Sequence, residues 1–155
     1  MGNAPQAKNG IFIKTFGGFD VFVNGRLIYF SSSKAKEMLA VMVEKGGSSV
    51  SLSQMTYLLY EDIPEETAKN SLRVIYHRLK NTLEENGAGQ ILIKERGSYA
   101  VDREQFTCDL YGFINGNPDD ICTFSGSFMP DYIWAEGTLP YLKKLYQKYT
   151  GEMSR

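Results

Sequence analysis

Between Thr67 and Leu83 the chain carries Lys69, Arg73, Arg78 and Lys80 and no Asp or Glu. Asn70, His77 and Asn81 are interspersed with these cations. Lysine and arginine neutralise phosphates, whereas amides, guanidinium and imidazole can hydrogen-bond to base edges. At about 100° per residue, Ala68, Leu72, Ile75, Tyr76, Leu79 and Leu83 gather in one arc of a helix. Lys69, Asn70, Arg73, Val74, His77, Arg78, Lys80 and Asn81 fill the other. One face is core, and the other suits a helix laid in a DNA major groove. Thr67, Lys69 and Asn70 sit near the helix start, where the dipole also favours phosphate. Lys69 and Arg73 are expected to lack acidic partners on the helix and so to gain no intrahelical ion pair. An ordinary solvated face is the competing reading.

The rest of the sequence offers less chemistry. His77 is the only histidine and has no Ser or Asp arrangement around it, so it reads as a base or phosphate contact or as a solvated ring. Cys108 and Cys122 are too few for a disulfide scaffold, suit a reducing cytoplasm and read as structural thiols. No cysteine pair or histidine cluster has metal-ligand spacing. Gly17-Gly18 and Gly46-Gly47 lack the spacing of a phosphate loop. Tyr132 and Trp134 read as core rather than as a ligand platform. The chain is therefore expected not to be an enzyme, with no catalytic residues, no metal and no cofactor.

A cationic helix needs a scaffold, and the flanking residues spell one. Ile11–Phe30 alternates as strands around Asn24-Gly25, a strong hairpin signal, with Leu27–Phe30 expected as the returning strand. Ser31-Ser32-Ser33 offers caps for a helix burying Ala35, Met38, Leu39, Met42 and Val43, ended by Gly46-Gly47. Ser51 and Gln54 have capping-box spacing and open a second helix. Pro64, Glu65 and Glu66 announce the third, which runs to about Glu85 before Asn86-Gly87. Ile91–Lys94 and Tyr99–Val101 then flank Arg96-Gly97-Ser98 as a second hairpin. Beyond Arg103 come short helical pieces around Asp109–Ile114, Asn117-Pro118 and Met129-Pro130. A last helix carries Leu142, Leu145, Tyr146 and Tyr149 inward. Pieces this short should pack on the preceding domain.

The chain has 155 residues, 43% hydrophobic and 23% charged, with a formal net charge of −1. That fits one ordinary globular domain with an appendage and excludes a disordered or fibrous chain. No apolar run approaches the roughly 20 residues of a membrane span, and residues 1–10 lack the apolar centre of a signal peptide. The charge is uneven: residues 104–142 hold six acidic groups and no basic one. A cationic helix and a later anionic segment suggest two surfaces with different partners.

The string Asn70-Ser71-Leu72-Arg73-Val74-Ile75-Tyr76-His77-Arg78-Leu79-Lys80-Asn81, followed by Arg96-Gly97-Ser98-Tyr99, resembles the recognition helix and wing of OmpR-type winged-helix transcription factors. Thr15-Phe16-Gly17-Gly18-Phe19, Ser33-Lys34-Ala35-Lys36-Glu37, Cys108-Asp109 and Tyr132-Ile133-Trp134 narrow the resemblance to the antibiotic-regulatory-protein branch, including effector domains of bacterial response regulators. The resemblance implies an α+β winged helix-turn-helix with an N-terminal antiparallel sheet and a C-terminal hairpin wing, followed by a short helical extension. It places recognition contacts at Lys69, Asn70, Arg73, Val74, His77 and Arg78, and wing contacts at Lys94, Arg96 and Ser98. Ser98 stands where the family usually has glycine before the wing tyrosine. The expected layout is a linker or leader over 1–10, the DNA-binding domain over 11–103, and over 104–155 the start of a helical activation domain. Expected partners are double-stranded DNA, RNA polymerase and a second copy on DNA, with an N-terminal receiver domain outside this chain, no membrane, and a cytoplasmic location. A winged helix that binds protein, with little or no DNA binding, is the alternative.

Overall fold

The structure is a computed structural model and describes residues 7–153. Residues 1–6 of the expected leader lie outside it. Lys8–Gly10 form a 3-10 turn: the Lys8 backbone N–H donates to Thr107 Oγ1 at 3.0 Å, and Asn9 Nδ2 to the Gln105 carbonyl at 3.2 Å.

Strands β1 (Ile11–Lys14) and β2 (Asp20–Val23) pair antiparallel, with Ile11, Ile13 and Val21 turned inward and fully buried. Asn24 (φ 52°) and Gly25 (φ 79°) both take the left-handed conformation that a type I′ turn demands. The returning strand β3 is shorter than the alternation suggests. Arg26–Leu27 pair with β2, the Ile28 N–H still donates to the Val21 carbonyl at 2.8 Å, and Ile28 buries between exposed Leu27 and Tyr29. The chain leaves the sheet there because Ser32 caps α1 (Ser33–Glu44), its hydroxyl accepting from the Ala35 N–H at 3.1 Å.

Helix α1 is buried all round from Met38 to Val43, more than its expected single face. A helix that is apolar on every side belongs at the centre of a core. Helix α3 packs on it, and from another side Tyr111 donates its hydroxyl to the Val43 carbonyl at 2.6 Å. Strand β4 (Val50–Ser51) leads into α2 (Leu52–Leu59), which opens with the complete Ser51/Gln54 capping box. Helix α3 (Glu65–Glu85) follows, with Pro64 at its N-cap. Strands β5 (Leu92–Glu95) and β6 (Ser98–Val101) form the wing hairpin, and β4 joins β6 to make a three-stranded sheet. In the wing turn Gly97 takes φ 76°, which only glycine adopts at little cost. This is an α+β winged-helix fold.

The sheet is not purely antiparallel. Strand β7 (Thr107–Cys108) lies parallel to β1, giving the order β3-β2-β1-β7. It delivers Asp109 to the start of α4 (Asp109–Ile114). There the buried carboxylate accepts from Thr15 N (2.8 Å), Thr15 Oγ1 (2.6 Å), Phe16 N (3.1 Å) and Leu110 N (2.8 Å). Burial raises the Asp109 pKa, and these donors pull it back. Helix α5 (Pro118–Thr123), a 3-10 segment (Ile133–Thr138) and α6 (Leu139–Met153) complete the chain. Phe16 packs edge-on against Phe113 and Phe124 at 5.4 and 5.0 Å, and Phe113 meets Tyr149 at 5.6 Å. The core thus runs without a break from the N-terminal sheet into the C-terminal helices.

Candidate nucleic-acid interface

The amphipathic pattern of α3 fixes its orientation. Ala68, Leu72, Ile75, Leu79 and Leu83 are buried against α1 and α2, so the opposite side must face outward. Asn70, Arg73, Val74, His77, Arg78, Lys80 and Asn81 are all exposed, and no other part of the described chain covers them. Asn70, Val74, His77 and Asn81 follow one another at i, i+4, i+7 and i+11, a strip along the outward side. Arg73 and Lys80 lie along one border and Arg78 along the other, by the same helical geometry.

Two features alter the expected electrostatics. Lys69 is not free of acidic partners: its Nζ lies 3.6 Å from a Glu65 carboxylate oxygen and 3.8 Å from one of Glu66, and its side chain is only 25% exposed. These glutamates precede the residues whose charge balance suggested an unpaired lysine. They stand one turn back on the helix, the distance at which i,i+3 and i,i+4 pairs meet. The anionic segment is also less anionic at its surface than its composition implies. Of its six acidic groups, Asp109 and Asp120 are both buried, Asp109 beneath the donors of Thr15, Phe16 and Leu110. Burial first, then the Asp109 charge, pushes the Asp120 pKa up to about 6.

Sequence reasoning assigned Tyr76 and Tyr99 only to core and strand, yet they join the helix to the wing. Their ring centroids are 5.0 Å apart, and Lys94 Nζ sits 4.9 Å from the Tyr99 ring while donating to the Glu95 carbonyl at 2.9 Å. Burial raises the pKa of both phenols, and the Arg73 charge opposes the rise at Tyr99. Tyr76, buried Tyr99 and Lys94 thus make a chain of contacts from α3 to β5, with the Arg73 charge close enough to act on the Tyr99 phenol. Arg96 is exposed at the hairpin tip and Ser98 is half-buried. Within the strip, Arg73 Nη1 donates to Asn70 Oδ1 at 3.1 Å. The structure brings Asn70, Arg73, Val74 and His77 onto one open face with Lys94 beside it, and sets Lys69 apart at a partly neutralised first turn.

A second surface shares none of these residues. A groove of about 740 Å³ is lined by Lys34, Glu37, Tyr57, Glu61, Asp62 and Asp131, among others. Tyr57 and Ile133 on its walls are 70% and 83% exposed. Tyr132 and Trp134 stack at 5.3 Å, and Trp134 Nε1 donates to Glu37 Oε2 at 2.8 Å, so both rings serve packing. Among the described residues no group of three or more His, Cys, Asp or Glu is placed to hold a metal ion, and no helix is long and apolar enough to cross a membrane.

Comparison with protein-family models finds no match, and neither does comparison with curated proteins. Among solved structures, the fold is similar to that of Mycobacterium tuberculosis EmbR, solved in complex with a low-affinity phosphopeptide. The TM-score is 0.72 at 15% identity over 91% of this chain. The chain spans 44% of the EmbR chain, and the likeness establishes the winged-helix fold.

Proposed function

We propose that the chain binds double-stranded DNA as the output domain of a bacterial transcription regulator of the OmpR-type, antibiotic-regulatory-protein kind. Helix α3 enters the major groove through Lys69, Asn70, Arg73, Val74, His77 and Arg78. The wing, through Lys94, Arg96 and Ser98, meets the backbone or the adjacent minor groove. One observation carries this reading: the strip Asn70–Val74–His77–Asn81 is open along its length, bordered by cations, and backed by a core that holds it rigid. Phosphate contacts give affinity and register, and base contacts give sequence preference. Support also comes from the winged-helix fold shared with EmbR. RNA polymerase, a second copy on tandem half-sites, and a receiver domain outside this chain are partners proposed on the same basis, and no catalytic activity is proposed.

A protein-binding role has one observation in its favour, the groove with exposed Tyr57 and Ile133 at its rim. It shares no residue with the α3 strip, so the two roles can coexist. Retention on random-sequence DNA at low salt, lost at moderate salt with a slope of about −0.9 per phosphate contact, supports the DNA reading. Indifference to DNA at every salt concentration leaves only the protein-binding role.

A further inference from the structure

The groove bordered by Tyr57 and Ile133 has an uneven charge balance. Its two lysines are already matched. Lys34 pairs with Glu37 at 3.3 Å and sits 5.4 Å from the centre of the Tyr60 ring, and Lys36 pairs with Asp20 at 3.1 Å. Glu61, Asp62 and Asp131 are exposed and have no ion-pair partner among the described residues. Three carboxylates are thus left over beside Tyr57 and Ile133, themselves 70% and 83% exposed. Unmatched anions beside exposed apolar side chains repel nucleic acid and fit a cationic protein surface with an apolar anchor.

The chain carries such a surface on α6. Leu142 is buried, and Leu145, Tyr146 and Tyr149 pack against the core, so the opposite side of the helix faces outward. There Tyr141, Lys144 and Lys148 follow one another at i, i+3 and i+7, all exposed, Tyr141 by 52%. Lys143 is exposed beside them, and no acidic residue stands between Glu136 and Glu152. None of these lysines has an ion-pair partner among the described residues. No residue of α6 lines the groove, and the helix is tied to the core, its Tyr149 hydroxyl donating to the Ile114 carbonyl at 2.9 Å. A chain therefore cannot fill its own groove with this helix.

We infer that the groove receives the outward side of α6 from a second copy of this chain. Lys144 and Lys148 of one copy face Glu61, Asp62 and Asp131 of the next, and Tyr141 packs against Tyr57 and Ile133. The contact joins two different surfaces, so a pair still has one free groove and one free α6, and further copies add in the same direction. The inference names an occupant for the groove. It goes beyond the DNA-binding reading and is independent of it, since neither surface uses the α3 strip.

Sedimentation equilibrium of the full chain, without DNA and at low salt, tests this over a wide range of concentrations. The parent is expected to form dimers and larger species that dissociate as salt is raised, because exposed charges are screened. Lys144→Glu with Lys148→Glu, and separately Glu61→Lys with Asp62→Lys, should each weaken association at least about tenfold, because like charges then face each other. An equimolar mixture of the two variants should recover it to within about threefold, since each now offers the other opposite charges. All four positions are exposed, so both variants should fold, and circular dichroism checks that they do. A parent that stays monomeric at every concentration, a variant that associates as well as the parent, or a mixture that fails to recover overturns the assignment. Each of these results leaves the DNA reading standing, because the assay contains no DNA.

Discussion

Glu66→Gln should strengthen DNA binding, because the first turn of α3 is anionic where a phosphate would approach. Lys69 is shared between Glu65 at 3.6 Å and Glu66 at 3.8 Å, so these three groups leave one net negative charge. Glu66 has a side chain 90% exposed, and it projects on the same side as the reading strip. A phosphate about 5 Å from a unit charge in water is repelled by about 0.8 kcal/mol. Screening at 0.1 M salt, with a Debye length of about 10 Å, brings this to about 0.5 kcal/mol. Removing the Glu66 charge should therefore raise affinity about two- to fourfold. It should also steepen the salt dependence by up to about 0.9, as Lys69 keeps only the Glu65 carboxylate to compete with a phosphate. The folding penalty, one exposed pair and one favourable first-turn charge, is about 0.3–1 kcal/mol, too small to unfold the chain. Anisotropy titrations with a labelled duplex from about 50 to 200 mM salt measure both quantities. Unchanged or weaker binding by Glu66→Gln at the low-salt end would refute the placement of this turn against the DNA backbone.

Arg78→Ala and Lys80→Ala should each flatten the salt slope by about 0.9 and weaken all duplexes equally, as measured by electrophoretic shifts on matched and scrambled sequences. Asp109→Asn replaces one acceptor oxygen with an NH2 facing the donors of Thr15, Phe16 or Leu110, so denaturant unfolding should show a loss of about 2–3 kcal/mol. Asp120 is held at a pKa of about 6, above its ordinary value of 3.8. The folded state therefore favours its protonated form. Its contribution is fully present below about pH 4 and is lost as pH rises through about 6. Asp120→Asn should accordingly match the parent near pH 4 and exceed it by about 1 kcal/mol at pH 7, a figure discounted for the water-facing side of the carboxylate. Equal stability differences at both pH values would contradict the assignment.

Features written in neighbouring residues were legible before any coordinates. Asn24-Gly25 announced its turn, Ser51 and Gln54 their capping box, and Leu72, Ile75, Leu79 and Leu83 the buried side of α3. Each depends on contacts within a few positions, where residue type and spacing carry the information. The two-residue strands β4 and β7 were not legible, because pairing over tens of residues supplies what their length cannot. The same holds for Asp109, which looked like one more surface charge. Its partners, Thr15 and Phe16, lie more than ninety positions away and meet it only because β7 docks beside β1. The Lys69 pairs were local and readable, and were missed because the charge count began at Thr67, one residue after Glu66. The outward strip of α3 followed from periodicity, but the Asn70–Arg73 bond that orients its amide required side-chain coordinates.

The account depends most on α3 and the wing being the surface that meets DNA. Nuclear magnetic resonance of the isotope-labelled chain, titrated with a single-site duplex selected from a random-sequence pool, tests this residue by residue. Signals from the side-chain amides of Asn70 and Asn81, the Val74 methyls, the His77 ring and the Gly97 backbone should shift together, while those of Tyr57 and Ile133 stay still. Shifts confined to the Tyr57–Ile133 groove, or a spectrum unmoved by DNA, would contradict the account.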